Sequence, residues 1–151
     1  LVALGDNPPP GLILSARHHV NWPDTERNRS FVNRFHDMSG RYPSYSAQGA
    51  YAGVLAIASA IRKAGDVTDT DAMITALEGL ELSLPKDPYG FTSYIDPDTH
   101  QIVQAQAIGT PEANNSFPPA SVMLGNWRVY DAESLKPSVA LIRERRGEPG
   151  G

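Results

Sequence analysis

The chain has 151 residues, enough for one domain with its own hydrophobic core. It carries 13 Lys and Arg against 17 Asp and Glu, a net charge of -4 that disfavours binding to nucleic acid or to an anionic membrane. The absence of cysteine excludes disulfides and thiolate metal sites. No apolar run approaches the roughly 20 residues of a membrane-spanning helix, and no signal peptide is visible.

The first predicted elements are a strand and a helix. Residues 8–11 form a rigid Pro-Pro-Pro-Gly break, and the apolar run over residues 12–16 is typical of a strand buried on both faces of a parallel sheet. Asp24 or Thr25 then offers a side-chain oxygen that can cap a helix over residues 25–38. The apolar stripe of this helix consists of Phe31, Val32, Phe35 and Met38.

Two more helices are expected in the middle of the chain. The longer covers residues 44–64, and its apolar face contains many glycines and alanines that allow close approach of neighbouring elements. Arg62 and Lys63 suit the negative end of its dipole, and Gly65 suits a left-handed stop. A third helix is predicted over residues 69–79, with cap candidates at its start.

The chain then changes from helices to strands. Residues 91–95 and 101–108 have the composition of strands, and the connection over residues 96–100 contains the Pro and Asp that favour a turn. The pattern therefore predicts a β-hairpin.

A last strand is predicted over residues 127–130, followed by a short helix. We divide the chain at this point. We expect residues 1–130 to form one unit and residues 131–151 to form a terminal extension that is partly flexible.

Five short motifs follow one another in a characteristic order. Residues 40–43 (GRYP) form a Gly-x-x-Pro turn, and residues 45–53 (YSAQGAYAG) resemble a Tyr-x-Ala-x-x-x-Tyr-Asp-Ala helix without its acidic residue. Residues 60–65 (AIRKAG) match Ala-Ile-x-x-Ala-Gly, residues 76–79 (ALEG) match Ala-Leu-x-Gly, and residues 98–101 (DTHQ) resemble an acidic-x-His-Gln signature. The ordered set resembles the C-terminal portion of a periplasmic solute-binding protein of the branched-chain amino acid (Leu/Ile/Val) ABC transporter type.

This resemblance spans residues 11–108 and implies an α/β fold, namely part of a type I periplasmic binding protein. It also implies that residues 1–130 are the C-terminal part of a bilobed solute-binding domain. We expect an incomplete lobe with helices on a parallel sheet, plus a C-terminal hairpin. The implied function is the substrate-binding component of an ABC importer for amino acids or related small molecules, without a cofactor or catalysis. The implied place is the periplasm or the cell surface. The family's ligand-holding segments lie upstream of Leu1, so none of those residues carries over.

Four residues are candidates for the ligand cleft: Trp22, His18, Tyr45 and Tyr51. In the family, Trp22 and His18 would follow a strand that crosses between lobes, and an aromatic ring there can stack on a ligand. The alternative is that Trp22 only covers the start of a helix. Tyr45 and Tyr51 lie early on the small-residue helix, and Tyr51 has the alternative role of a core residue.

A metal site and a catalytic site are less well supported interpretations of the histidines and of the serines near them. His18 and His19 are adjacent, so on a strand they point to opposite faces and do not share an ion. A hydrolase would use Ser15 or Ser44 with a histidine and an aspartate, yet the Gly-x-Ser-x-Gly pattern is absent. Phosphate-binding glycine motifs are absent as well.

The partners implied by the resemblance are a small ligand, an amino acid or related carboxylate, and an ABC permease, with no nucleic acid. A second hypothesis is a regulatory domain of the same fold, in which a partner protein reads ligand closure. A small hydrolase is the third. Because the predicted strands cover only part of three helices, we expect either a homodimer or pairing with an N-terminal half.

Overall fold

The computed structural model describes residues 7–147, which contain two small antiparallel sheets flanked by helices. The first sheet, in the order β1-β5-β6, consists of β1 (Leu14–Ser15), β5 (Gln106–Ala113) and β6 (Val122–Tyr130). The second sheet, in the order β2-β3-β4, consists of β2 (Glu81–Leu82), β3 (Ser93–Ile95) and β4 (Ile102–Val103).

The helices begin where the sequence places capping side chains. The helical segments in the described part of the chain are α1 (Glu26–Ser39), α2 (Tyr45–Ala64), α3 (Thr70–Leu77), α4 (Ala132–Leu135) and α5 (Val139–Arg146). Thr25, Ser44 and Asp69 each accept a hydrogen bond from the backbone N–H three residues ahead, at 2.9–3.2 Å. Left-handed Gly40 and Gly65 end α1 and α2, as predicted for Gly65.

The structure corrects the expectation of a parallel sheet. Every strand pairing that the structure describes is antiparallel, including Leu14 with Gly109 in β1 and β5. The run over residues 12–16 is not buried on both faces either, because β1 is two residues long, pairs on one edge, and leaves Ile13 61% exposed. Antiparallel neighbours need only short connections, whereas parallel ones need crossovers, and β5 and β6 are joined by one loop.

The predicted hairpin is confirmed. Tyr94 pairs with Val103, and the turn is held by Asp96, whose N–H donates to Gln101 O at 2.8 Å and whose carboxylate accepts from Thr99 N at 2.9 Å. The second predicted strand, residues 101–108, divides into β4 and the start of β5, so that the chain leaves one sheet and enters the other.

A close approach of backbones fixes the β5–β6 pair. A Cβ atom on Gly109 would meet Gly125 O at 2.8 Å and the Trp127 ring at 2.9 Å. The register shifts between Ile108 and Thr110, which marks this point as an irregularity of the ladder. The absence of a side chain at Gly109 therefore allows the Trp127 ring to contact β5 at this point.

The hydrophobic core lies between α2 and the second sheet. Its buried members are Ala52, Leu82 and Leu84, and the half-buried residues packed on them are Leu55, Ala56 and Leu80. Much of the apolar surface of α2 has no cover in residues 7–147: Val54 is 67% exposed and Ile57 is 56% exposed. Only part of the apolar surface of α2 therefore packs against the rest of the described chain.

The terminal extension is tied to the hairpin. Lys136, after α4, forms an ion pair with the buried carboxylate of Asp96. Helix α5 continues to Arg146, and residues 148–151 of the segment predicted to be flexible lie outside the described residues. Within the described part, no helix has the length and apolar character needed to cross a membrane.

Leu84 supports the core, and its truncation tests the fold. The side chain is fully buried, so Leu84→Ala leaves a cavity and is expected to lower the free energy of unfolding by about 2–5 kcal/mol. Leu135→Ala removes the same atoms from a half-exposed position and is the matched control, with an expected loss below about 1 kcal/mol. Chemical denaturation of both variants gives the comparison, and equal losses would contradict this core.

Candidate functional site

One buried side chain organises the loop between β1 and α1. The Asn28 amide nitrogen donates to the carbonyl oxygens of His19, Val20 and Pro23, at 3.2, 3.4 and 3.1 Å. Its oxygen Oδ1 lies 3.0 Å from His18 Nε2. Asn28 is 1% exposed, so these bonds are shielded from water and fix the path of the loop.

The Asn28 contacts also define which nitrogen of His18 carries hydrogen. Because the amide nitrogen is engaged by three carbonyls, Oδ1 is the atom that faces His18, and His18 Nε2 must donate to it. Burial lowers the pKa of His18, partly offset by the Asn28 bond, so the ring is neutral at neutral pH. His18 Nδ1 is then a bare acceptor, and it is buried without a partner in the described chain.

His18 lies beside a cavity of about 360 Å³. One wall is formed by β1 and the loop after it, the second by the start of α2 and the third by β6. Among the lining residues are His18, His19, Asn21, Ser44, Tyr45 and Leu124. Asn21 Nδ2 donates to Leu124 O at 2.7 Å, which leaves Asn21 Oδ1 as a second buried acceptor without a partner in residues 7–147.

The structure brings two of the four candidate residues together. His18 and Tyr45 line this cavity, and Tyr45 is 56% exposed at the first position of α2. Trp22 does not line it: its ring packs on Trp127 at 5.9 Å between centroids, and a cis peptide bond joins it to Pro23. Tyr51 lies further along α2, with its ring 5.1 Å from Phe31 and 43% of its surface exposed.

Sequence reasoning missed Asn21 and Asn28. Asparagine at a helix start or in a turn usually satisfies its own backbone, whereas Asn28 binds the preceding loop. The available signal was the position of Asn28 in the first turn, three residues after the cap Thr25. Among the described residues, no group of three or more His, Asp or Glu side chains is arranged to hold a metal.

Neutral histidines in this site predict a loss of stability in acid. Burial, with His18 and Lys86 as further causes, lowers the pKa of His19 to about 4, against about 6.5 in an unfolded chain. Below pH 6.5 the unfolded chain therefore takes up protons that the folded chain excludes, and the free energy of unfolding falls as the pH drops towards 4.

The expected loss is about 1–2 kcal/mol, reduced from the full linkage value because His19 is partly exposed to solvent. His19→Gln keeps an acceptor for the Ala16 N–H and should flatten this pH dependence. Denaturant titrations at several pH values provide the measurement. A slope that is the same in the variant and in the original chain would contradict this, because it would show that His19 takes up its proton equally in the folded and the unfolded chain.

The comparisons with known proteins agree with this architecture. A family model described as a periplasmic binding protein matches residues 1–115. A solute-binding protein of an ABC transporter from Rhodopseudomonas palustris BisB5, solved with 3,4-dihydroxybenzoic acid, is 25% identical with a TM-score of 0.68 over 81% of this chain and 31% of that one. No curated protein sequence matches the chain.

Two further solved structures share the fold. An ABC-type branched-chain amino acid transporter from R. palustris CGA009 has 22% identity and a TM-score of 0.71, over 86% of this chain and 33% of that one. A leucine-, isoleucine-, valine-, threonine- and alanine-binding protein from Brucella ovis has 16% identity and a TM-score of 0.68, over 84% and 33%. This chain spans about a third of the length of each. The resemblance drawn from the ordered motifs is confirmed, and the chain belongs to the periplasmic binding protein family.

Proposed function

We propose that this chain is part of the solute-binding component of an ABC importer, and that its cargo is an amino acid or a related small carboxylate. Membership of the family supports the general role. The observation that carries the proposal is the cavity beside Tyr45, where two buried acceptors, His18 Nδ1 and Asn21 Oδ1, have no partner in the described chain. Buried polar atoms are rarely left without a hydrogen bond, so a donor is expected there.

The hydrogen-bond acceptors of the cavity suit a cargo that carries a donor group. Two acceptors call for N–H or O–H donors, such as the ammonium of an amino acid or the hydroxyl of a phenol. Tyr45 adds an aromatic face and a hydroxyl at the mouth. The solved neighbours are described with 3,4-dihydroxybenzoic acid and with 4-hydroxybenzoate, or as branched-chain amino acid transporters. Each such cargo carries a donor group.

The remaining candidates enter the proposal in supporting roles. Trp22 lies within the loop that Asn28 holds and would sense closure of the cleft, and Tyr51 would line a neighbouring part of it. We assign residues 1–130 to the bilobed domain and residues 131–151 to an extension. The protein would work in the periplasm or at the cell surface, and an ABC permease would receive the cargo.

Binding without catalysis is the better account of the serines near these histidines. Ser15 Oγ donates to Ala107 O at 2.7 Å, and Ser44 Oγ accepts from Ala47 N as the cap of α2. Neither hydroxyl is hydrogen-bonded to a histidine in the described chain, as a serine nucleophile would be. These contacts give the hydrolase hypothesis no support.

Truncation of Tyr45 tests the site. The full-length gene product is titrated by calorimetry with leucine, isoleucine, valine, 4-hydroxybenzoate and 3,4-dihydroxybenzoate, and at least one is expected to bind with a micromolar dissociation constant. Tyr45→Ala should weaken that binding about tenfold or more, because it removes ring contact and a hydroxyl. Tyr89→Ala, at a position that is 80% exposed outside this cavity, is the control and should bind normally.

The possible outcomes test the solute-binding role and the location of the binding site separately. If no amino acid or aromatic acid binds the full-length product, the proposed role is wrong. If a ligand binds and Tyr45→Ala leaves its affinity unchanged, the role stands and the cavity beside Tyr45 is the wrong place.

We also propose that the exposed apolar face of α2 is covered, either by a second copy of the chain or by further polypeptide of a bilobed domain. Val54, Ile57 and Ile61 lie along this face with 37–67% of their surfaces exposed. Contiguous apolar surface of this kind is unusual on a soluble monomer. Ala52, which belongs to the core cluster with Leu84, lies on the opposite side of α2.

Light scattering after size exclusion tests this cover. At micromolar concentration the 151-residue chain is expected to self-associate, and the double variant Val54→Ser, Ile57→Ser is expected to run as a monomer. Met38→Ser is the control, since Met38 is 89% exposed but lies on α1 and not on α2. A cooperatively folded monomer of the unaltered chain would contradict the proposal.

A further inference from the structure

A second cavity lies on the other side of Tyr45, between α2 and the sheet β2-β3-β4. Its volume is about 460 Å³, within the range of small-molecule sites. Tyr45 is the residue that this cavity shares with the one beside His18. Its lining combines polar side chains, among them Arg17, Gln48, His100 and Gln104, with apolar ones, among them Leu82, Ile95 and Ile102.

The charge of this lining is one-sided. Arg17 supplies a guanidinium, and the described lining contains no aspartate or glutamate. Within residues 7–147, the structure gives Arg17 no carboxylate partner within 4.0 Å and no hydrogen bond from its guanidinium. A guanidinium with five free donors at the mouth of an acid-free cavity is suited to an anion.

A buried ammonium lies behind the same wall. Lys86 is 1% exposed, and its Nζ donates to Gln104 Oε1 at 3.1 Å. Since that bond uses the oxygen of the Gln104 amide, the amide nitrogen is free to donate elsewhere, and Gln104 lines the cavity. Lys86 therefore fixes the orientation of Gln104 and adds positive potential near this lining residue.

The acidic neighbour of Lys86 does not balance this charge by a direct contact. Asp87 Oδ2 accepts from Leu84 N at 2.8 Å and Ser93 N at 3.2 Å, and Oδ1 accepts from Ser93 Oγ at 2.5 Å. The Asp87 carboxylate is thus occupied by the segment around β3. Burying an ammonium without an ion pair is costly, and burial lowers the pKa of Lys86 to about 8.

Gln48 supplies an independent sign of an absent ligand. Its side chain is 2% exposed and lines the cavity, and its amide nitrogen has no partner in the described chain. Gln48 lies in the first turn of α2, and Tyr45 and Ser46, which also line the cavity, begin that helix. The cavity therefore lies along the first turns of this 20-residue helix, beside the end where its dipole is positive.

The geometry points to a binding site for an organic carboxylate in this cavity, separate from the proposed solute site. The carboxylate would lie against Arg17, Gln48 and Gln104, and its apolar body against Leu82, Ile95 and Ile102. An apolar wall gives inorganic phosphate nothing to bind beyond its charge, whereas a planar guanidinium matches the two oxygens of a carboxylate. Benzoate has the charge, planarity and size that these contacts require.

Calorimetry of the full-length gene product with benzoate tests the site. We expect sub-millimolar binding, a loss of about tenfold or more in Arg17→Gln, and a smaller loss in Arg17→Lys, which keeps the charge without the fork. Benzamide, a neutral ligand of the same shape, and inorganic phosphate should bind at least about tenfold more weakly than benzoate. Arg27→Gln, an exposed arginine on α1 outside this cavity, is the matched control and should bind benzoate normally.

Proton uptake by Lys86 on benzoate binding is a measurement that would show no change if Lys86 were purely structural. An anion placed near its ammonium raises its pKa, so benzoate binding at pH 8.5 should take up protons, seen as a dependence of the binding heat on the ionisation enthalpy of the buffer. Lys86→Met should remove this uptake. Lys86 is a positioning residue here, because it acts through Gln104.

Three results would overturn the inference. These are benzoate affinity that is unchanged in Arg17→Gln, benzamide or phosphate that binds as tightly as benzoate, and no benzoate binding at all. The last is also the result expected if another part of the protein fills the cavity with its own carboxylate. The failure of this site is distinguishable from that of the proposed function. This site fails if Arg17→Gln leaves benzoate binding unchanged, whereas the proposed function fails if no amino acid or aromatic acid binds, and Arg17 does not line the cavity beside His18.

Discussion

Four polar contacts from one buried amide hold the loop between β1 and α1. Asn28 donates to three carbonyls of that loop and accepts from His18. The same contacts define the hydrogen position on His18, and they hold the loop so that His19 and Trp22 meet the Trp127 ring on β6. Loss of this amide would leave several buried carbonyls without donors, a cost that a single surface hydrogen bond never carries.

The interior of the described chain is unusually polar, and its surface is unusually apolar. Lys86, Asp87, Asn28 and Gln48 are each at most 2% exposed, while Val54 and Ile57 on α2 are more than half exposed. Both features fit a chain that spans about a third of its solved relatives. The apolar face of α2 is suited to a contact with another polypeptide surface, and Gln48 lines a cavity of about 460 Å³.

Local chemistry made the helices predictable. Thr25, Ser44 and Asp69 cap because a short side-chain oxygen reaches the free N–H groups of the next turn, a contact that needs no distant residue. The hairpin around Asp96 is local in the same way. The pairing of β1 was not predictable, because a short apolar run is compatible with either strand direction and with either degree of burial.

The site was only half predictable for the same reason. His18 and Tyr45 drew attention as residue types that bind ligands, and they meet at one cavity. Asn21, Gln48 and Lys86 have ordinary sequence surroundings, and only tertiary contacts bury their polar atoms. A polar residue that is buried by partners far along the chain, such as Lys86 by Gln104, leaves no periodic signal in the sequence.

The proposed solute site depends on two acceptors that have no donor within the described chain. A crystal structure of the full-length gene product with its bound solute tests that claim most directly. The account predicts an ammonium or hydroxyl group of the solute within hydrogen-bond distance of His18 Nδ1 or Asn21 Oδ1, next to the Tyr45 ring. A solute ordered elsewhere, with protein groups bound to both acceptors, would contradict it.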